Sequence, residues 1–300
     1  MHPSQQPADL ARIRAWYAEE LQVVANLASA AVVAAFAAVP RERFLGDGPW
    51  QIWTVSTPGD PHQPHLGYRT TPDADPARVY HNVAIALDAG RQLNNGQPAT
   101  VAGWIEWLQV GPGMTVYHVG AGTGYYTAVL AHIVGPEGRV IGIEVDPALA
   151  RTARAALATV DQVDLVHGTA ATYDPGPVDA VLSSAGVTHP PPSWVARLRP
   201  HGRMLLPLTF SLPGSGAGAG AMLAVCRRDG YIEARVLPGQ VMFYSALDLR
   251  TDETNNRLGR AFARGRADAV RSLRTAEHAE SDSCWLHGPD GCLSTLPDAP

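Results

Sequence analysis

Residues 115–124, TVYHVGAGTG, decide the fold, because they predict a buried strand that runs directly into a glycine-rich turn. A helical pattern follows the turn as far as Val134, and a second strand is predicted over residues 139–144. Glycines let the backbone approach a ligand closely, and the start of a helix offers free N–H groups and a positive dipole end. This order of elements therefore predicts a ligand-binding loop at residues 120–124.

The spacing of Gly120, Gly122 and Gly124 indicates which ligand the loop binds. It departs from the dinucleotide fingerprint, because the third glycine comes two residues after the second. The form G-x-G-x-G favours the carboxylate and amino end of S-adenosylmethionine (SAM) over a pyrophosphate. Glu144 ends the next strand about 20 residues past the turn, where an acidic side chain accepts hydrogen bonds from ribose hydroxyls. SAM is therefore the predicted cofactor.

Strands alternate with helices on both sides of this loop, which predicts right-handed βαβ units on a mostly parallel sheet. The fold class expected is a Rossmann-like α/β fold with helices on both faces and a C-terminal hairpin. Besides the elements above, we predict helices over 99–108, 147–158 and 194–198, strands over 163–166, 179–183 and 203–208, and a hairpin of 222–228 with 231–236.

The flanking regions divide the chain into an N-terminal helix with a substrate-side segment (1–98), a SAM-binding core (99–250) and a C-terminal extension (251–300). No internal repeat is present. The flanks predict a helix over 8–38, an irregular stretch over 46–78 with a short strand at 50–55, a flexible connection over 212–221, a strand within 240–247 and a helix over 254–278.

Composition narrows the function classes. The chain has 300 residues, 46% of them hydrophobic and 17% charged, and a net charge of −5. It has no basic run, which argues against a nucleic-acid partner, and no apolar stretch long enough to span a membrane. No signal-peptide pattern is present, and three cysteines do not form a disulfide framework, so we expect a soluble cytoplasmic protein.

Several motifs outside the loop carry a family resemblance. They are AVPRERF at 38–44, YHNVAIAL at 80–87, GAGTGYYTAVLA at 120–131 and LLPL at 205–208. With them the chain resembles the protein-L-isoaspartate O-methyltransferase family from about residue 20 to about residue 250. The resemblance implies a SAM-dependent enzyme that methylates an aspartate or isoaspartate carboxylate of a peptide or protein. It also implies cofactor contacts from Gln97, His118, Gly120, Ala121, Gly122, Gly124, Tyr125, Glu144, Val145, Gly168, Thr169 and Ser184.

The chain departs from the family pattern at the substrate side. Residues 93–98 are LNNGQP where the family has TISQP, so the family's serine is absent. Thr169 stands in place of an aspartate, and His118 in place of a glutamate. The variant at 93–98 resembles relatives that methylate an aspartate in ribosomally made peptide natural products. In that branch the methyl ester collapses to an aspartimide.

The acceptor chemistry leaves two predictions open. A carboxylate is ionised at neutral pH, with a reference pKa of about 4, so it needs donors that position it. Asn94 and Asn95 are the candidate catalytic residues, and Asn95, Gly96 and His189 the candidate substrate contacts. A hydroxyl acceptor would instead need a base, for which His189 is the best candidate, before His118 and His81. A small-molecule O-methyltransferase and a non-catalytic SAM- or peptide-binding module are the alternatives.

The C-terminal extension contains Cys284, His287 and Cys292, with His278 upstream. These residue types suggest zinc, but their spacing matches no standard finger or ribbon. We therefore predict free thiols packed beside Trp285 and no metal. Two arrangements are open for the extension. It meets the 46–78 stretch and covers the acceptor side of the pocket, or it packs on the far side or holds a dimer together.

Overall fold

The computed structural model describes residues 7–54, 67–211 and 216–297. Its helices are α1 Pro7–Ala25, α2 Ala30–Ala38, α3 Pro98–Leu108, α4 Tyr125–Val134, α5 Pro147–Leu157, α6 Pro192–Arg197 and α7 Asp252–Ala263. Its strands are β1 Gln51–Thr54, β2 Gly67–Thr70, β3 Ala86–Asp88, β4 Leu93–Asn94, β5 Thr115–Val119, β6 Arg139–Glu144, β7 Val163–His167, β8 Val178–Ser183, β9 Leu198–Ser211, β10 Ala217–Arg227, β11 Ile232–Val236, β12 Val241–Tyr244, β13 Ser272–Arg274, β14 Cys284–Gly288 and β15 Gly291–Ser294.

One large sheet organises the chain, in the order β14-β15-β13-β11-β10-β9-β8-β5-β6-β7, with β12 paired to β10. Five neighbouring strands of this sheet run parallel, in the order β9-β8-β5-β6-β7. The strands β10 and β11 add the predicted antiparallel hairpin. The Rossmann-like prediction is confirmed. None of the described helices is both long and apolar enough to cross a membrane.

Both faces of the sheet are buried. Successive side chains of a strand point to opposite sides, so a central strand contributes to both buried clusters. On β5, Val116 belongs to the cluster beneath α1 to α4, and Tyr117 belongs to the cluster beneath α6 and α7. Helices therefore cover both faces, as parallel sheets require.

The predicted helix over 8–38 is wrong in one respect, since two helices share it. Asn26 has a φ of 51°, which ends α1, and Ser29 caps the start of α2 by accepting from the Val32 N–H. The Glu106 carboxylate accepts from the amides of Ala28 and Ser29 at 3.0 and 3.1 Å. This contact between segments far apart in sequence fixes the break.

The predicted helix over 254–278 is also wrong, because α7 ends at Ala263. Gly265 and Arg266 take φ values of 73° and 64°, and the chain then enters β13. The C-terminal extension thus continues the sheet with three strands. Of the stretch predicted to be a flexible connection, 217–221 lies in β10, and 212–215 lies outside the described residues.

The expectation that the extension meets the 46–78 stretch is wrong for the described residues. Trp50 and Ile52 pack in the cluster beneath α1 to α4, and Leu258 and Trp285 pack in the cluster on the other face of the sheet. The two segments are therefore separated by the sheet itself. Residues 55–66 lie outside the described residues.

Candidate active site

The glycine-rich loop has a backbone that only glycine adopts without strain. Gly120, Gly122 and Gly124 have φ values of 74°, 59° and 96°. A Cβ on Gly124 would also lie 2.7 Å from Leu157 Cδ1. The Gly120 N–H donates to the Ile143 carbonyl at 2.9 Å, as does that of Ala121 at 3.0 Å, so the loop is tied to the end of β6. The sequence placed this loop correctly between β5 and α4.

Glu144 supports the loop from beneath. Its side chain is only 6% exposed, and its Oε2 accepts from the Gly122 N–H at 2.7 Å while Oε1 accepts from the Asp146 N–H at 2.9 Å. Burial raises the pKa of this carboxyl, and the two backbone donors oppose that rise. Each carboxylate oxygen has a second lone pair, so both can also accept from a ligand hydroxyl. The loop-bracing role was not predicted from the sequence.

His118 is buried at the end of β5 in a fixed orientation. Its Nδ1 lies 2.8 Å from Thr127 Oγ1 and its Nε2 lies 3.3 Å from Ser184 Oγ. Burial lowers the pKa of His118 to about 4. A ring with so low a pKa stays neutral and is a weak base at neutral pH, which removes its place among the candidate bases.

The loops after β6 and β7 complete this edge of the sheet. Val145 is 61% exposed directly beside Glu144, so it offers an apolar surface at the site. The Gly168 N–H donates to the Glu144 carbonyl at 3.0 Å, and Thr169 Oγ1 accepts from the Ala171 N–H at 3.1 Å. Thr169 therefore shapes its own turn, a role that the family's aspartate also could fill.

The substrate-side segment lies directly against the glycine-rich loop. A Cβ on Gly122 would be 3.4 Å from Leu87 Cδ1, and the Tyr126 hydroxyl donates to the Gly96 carbonyl at 3.4 Å. Gly96 has a φ of 75°, and Gln97 precedes α3 without a side-chain capping bond. The Gln97 Nε2 donates to the Asn82 carbonyl at 3.4 Å, and Asn82 Oδ1 accepts from the Ala99 N–H at 2.9 Å. The structure thus brings together two predicted halves of the site that the sequence separates by more than twenty residues.

Asn94 and Asn95 have different surroundings. Asn94 Oδ1 accepts from the Gly96 N–H at 2.9 Å, and its Nδ2 donates to the Tyr68 hydroxyl at 3.2 Å. Asn95 Oδ1 accepts from the Ile85 N–H at 2.9 Å, and its Nδ2 is buried with no hydrogen-bonding partner among the described residues. Because a buried donor without a partner is costly, the Asn95 amide is the better candidate for a ligand contact. Asn94 is occupied as a turn former.

Arg41 is the site residue that sequence reasoning missed, although it lies within the AVPRERF motif. It is fully buried, and its guanidinium donates to carbonyls of residues 79, 81 and 83 at 2.7, 3.0 and 2.7 Å. Its Nη2 also reaches Asn95 Oδ1 at 3.4 Å. The sequence does show Arg41 between an apolar helix and Phe44, a place that suggests burial. A charged residue is seldom fully buried unless it is paired, so this position could have been recognised as a candidate.

The Tyr125 side chain packs in the interior at the start of α4, and its cofactor contact stays a prediction. Its ring is buried against Phe44 and Tyr126, with ring centroids 5.8 and 5.0 Å away, and the Arg41 guanidinium lies 5.8 Å from its centre. The ring therefore anchors the start of α4 to the AVPRERF segment.

His189 lies in the loop after β8, apart from the residues above. Its Nδ1 is 3.0 Å from Thr188 Oγ1, and its Nε2 is 3.3 Å from Asp290 in the C-terminal extension. Burial lowers the pKa of His189 while the Asp290 carboxylate opposes that shift. Its contacts therefore tie this loop to the turn between β14 and β15.

Comparison of the sequence with known proteins identifies a family model and several relatives that match this chain. A family model described as protein-L-isoaspartate(D-aspartate) O-methyltransferase matches residues 71–237, which is more than half of the chain. A protein-L-isoaspartate O-methyltransferase of Methylorubrum extorquens is 32% identical over 203 residues, covering 67% of this chain and 75% of the relative. The Thermotoga maritima protein of the same name is 28% identical, covering 60% of this chain and 51% of that relative.

Solved structures agree on the fold. A structure titled protein-L-isoaspartate O-methyltransferase superposes with a TM-score of 0.54 at 20% identity, covering 87% of this chain and 72% of the other. A Plasmodium falciparum protein, titled as a putative member and solved with S-adenosyl-L-homocysteine, gives 0.57 at 16% identity, covering 79% and 98%.

The fold is the Rossmann-like α/β fold of these solved structures. The family match is narrower still. The chain belongs to the protein-L-isoaspartate O-methyltransferase family. The chain spans about half the length of two curated relatives, 51% of the Thermotoga maritima protein and 56% of the Methanopyrus kandleri protein of the same name.

Proposed function

We propose that the protein transfers a methyl group from SAM to the side-chain or α-carboxylate of an aspartate or isoaspartate in a peptide or protein. Family membership supports the reaction class. The observation that carries the proposal is the unpartnered Asn95 Nδ2, in a segment that contacts the glycine-rich loop through Gly96 and Tyr126. Because this atom is shielded from solvent, we propose that it meets an acceptor oxygen when substrate binding opens the segment around it.

The residues at the sheet edge fit SAM. The amides at the start of α4 suit its carboxylate, because the first N–H groups of a helix have no partner within it. Glu144 retains lone pairs for the ribose hydroxyls, and the exposed Val145 offers an apolar surface for the flat base. When bound, SAM supplies a methyl group carried on a positively charged sulfur. An ionised acceptor oxygen takes this methyl group, and the sulfur leaves.

The chain's contribution to the reaction is then alignment and exclusion of water. Asn95 donates to one acceptor oxygen through Nδ2, while its Oδ1 is held by the Ile85 N–H and by Arg41. Arg41 fixes the carbonyls of residues 79–83 and therefore the position of the whole segment.

A carboxylate acceptor also matches the histidines. His118 is enclosed by Thr127 and Ser184, and His189 is paired with Asp290, so neither is positioned as a base beside Asn95. A hydroxyl acceptor would need such a base. These contacts favour carboxyl transfer over the small-molecule alternative.

The finer proposal concerns the acceptor. The resemblance of residues 93–98 to relatives that act on ribosomally made peptides supports an internal aspartate of a precursor peptide as the substrate. Its methyl ester would lose methanol as the following backbone nitrogen closes an aspartimide.

The experiment compares three peptides that differ at one position, isoaspartate, aspartate or asparagine, with methyl-labelled SAM. We expect label on the isoaspartate or aspartate peptide, none on the asparagine peptide, and release of labelled methanol in mild base. Label that resists base on a hydroxyl acceptor would indicate the small-molecule reaction. SAM binding without turnover on any acceptor would indicate a binding module.

A further inference from the structure

The C-terminal extension brings two histidines and two cysteines together outside the candidate active site. We call them the Cys2His2 cluster, which consists of His278, Cys284, His287 and Cys292. One donor atom from each residue lies within 4.8 Å of every other. The sequence predicted free thiols and no metal. Both cysteines are free in the structure, and their sulfurs lie close to imidazole nitrogens.

A β-bulge explains why spacing alone did not show the cluster. In a regular strand, residues three apart, such as Cys284 and His287, point to opposite faces. The pairing of β14 with β15 shifts register between Cys284 and Leu286, so the extra residue brings Cys284 to the face of His287. Cys292 lies directly across from His287 in the same register. His278 comes from the loop between β13 and β14.

The distances suit a small tetrahedral metal ion. Zinc bonds of about 2.3 Å to sulfur and 2.0–2.1 Å to nitrogen place tetrahedral ligands roughly 3.3–3.8 Å apart. His278 Nε2 lies 3.6 Å from Cys284 Sγ, which is within that range. The full cluster at 4.8 Å needs a contraction of about 1 Å, which side-chain rotation supplies.

The surrounding hydrogen bonds prepare the donor atoms. His278 Nδ1 lies 2.9 Å from the Ala276 carbonyl, which assigns the ring proton to Nδ1 and leaves the Nε2 lone pair toward the sulfurs. The Ser281 N–H donates to Cys284 Sγ at 3.3 Å, as a thiolate requires. Within the part of the chain that the structure describes, His287 Nδ1 is buried without a hydrogen-bonding partner, so this nitrogen is free to bind a metal ion.

We propose that the Cys2His2 cluster binds one zinc ion and fixes the C-terminal extension to the edge of the sheet. Thiolate and imidazole ligands without a carboxylate select zinc over magnesium or calcium. Four protein ligands close the coordination shell, so the site is structural. The zinc ion would add to a short pairing, in which Glu233 of β11 lies opposite Ser272 of β13 and the Ala234 N–H donates to the Arg271 carbonyl at 3.1 Å. The same hairpin carries Asp290, the partner of His189.

The test measures metal in the full-length protein, purified without chelators and with thiols kept reduced. We expect about one zinc per chain by elemental analysis. After removal of zinc, cobalt should give the visible bands of a tetrahedral ion and a thiolate-to-cobalt charge-transfer band. Neither readout depends on methyl transfer, so this proposal and the proposed function fail separately.

Three variants assign the site. Cys292→Ser should lose the charge-transfer intensity of one thiolate and release zinc to a weak chelator. Cys226→Ser is the matched control, because Cys226 is equally buried but lies on β10 outside the cluster. His278→Gln removes a half-buried ligand with little risk to folding. It should weaken zinc binding by at least about 10–100-fold, the loss seen when even an outer partner of a ligand is removed.

Three results would overturn the proposal. They are a reduced, folded protein that holds no zinc and gives no cobalt spectrum, equal metal loss in Cys226→Ser and Cys292→Ser, or a disulfide between Cys284 and Cys292 in place of the metal.

Discussion

Replacement of Glu144 by alanine tests the cofactor site quantitatively. The change removes a buried carboxylate that accepts the Gly122 and Asp146 N–H groups at 2.7 and 2.9 Å. It also removes the proposed acceptor for the ribose hydroxyls. A hydrogen bond to a charged group contributes about 1.5–3 kcal/mol, so SAM affinity should fall by that amount, roughly a 10- to 150-fold higher Kd. Titration calorimetry measures this directly.

Glu106→Ala is the control for the loss of loop bracing. Its carboxylate also accepts two backbone N–H groups, those of Ala28 and Ser29, but it lies on α3 away from the loop. Each variant should lower the free energy of unfolding by about 1–3 kcal/mol, since each leaves two amides without acceptors. Only Glu144→Ala should change the Kd for SAM. An unchanged Kd in Glu144→Ala, or an equal increase in both variants, would refute the assignment.

Three further predictions follow from other parts of the site. Asn95→Ala should lower turnover at least about tenfold and leave SAM affinity unchanged, because the residue contacts the acceptor. An equal loss of SAM affinity and of turnover would show that Asn95 only shapes a turn. Burial lowers the pKa of His118 to about 4. Between about pH 6.5 and pH 4 the unfolded chain therefore binds more protons than the folded one. The free energy of unfolding should fall by about 3 kcal/mol as the pH drops through this window. Urea unfolding at several pH values checks this, and a His118→Gln variant with the same dependence would contradict it. Truncation after Ala246 should yield an insoluble or partly unfolded chain, because it removes the fully buried Leu258 and Val270; a truncated protein with an unchanged melting temperature would show that the extension is dispensable.

Local patterns were sufficient for the centre of the fold. The strand at 115–119, the turn at 120–124 and the strand that ends at Glu144 were predicted correctly, because each depends on neighbours within a few residues. The ribose contact of Glu144 stays a prediction. The contact of Gly96 with Tyr126 joins residues thirty positions apart, so a local pattern does not show it.

Long-range contacts account for what was missed. The break at Asn26 depends on Glu106, and the burial of Arg41 depends on carbonyls of residues 79–83, so neither is visible in a local window. The Cys2His2 cluster depends on a bulge and on strand register, which sequence spacing does not encode. Hydrophobicity alone predicted that the extension packs, but not on which face of the sheet.

The base stability of the transferred methyl group tests the central claim most directly. Labelled SAM is incubated with the full-length protein and its aspartate or isoaspartate peptide, and the isolated product is held briefly at high pH. We predict that the label leaves as methanol, because a carboxyl methyl ester hydrolyses or cyclises under these conditions. A label that stays on the product through this treatment would contradict carboxyl methylation.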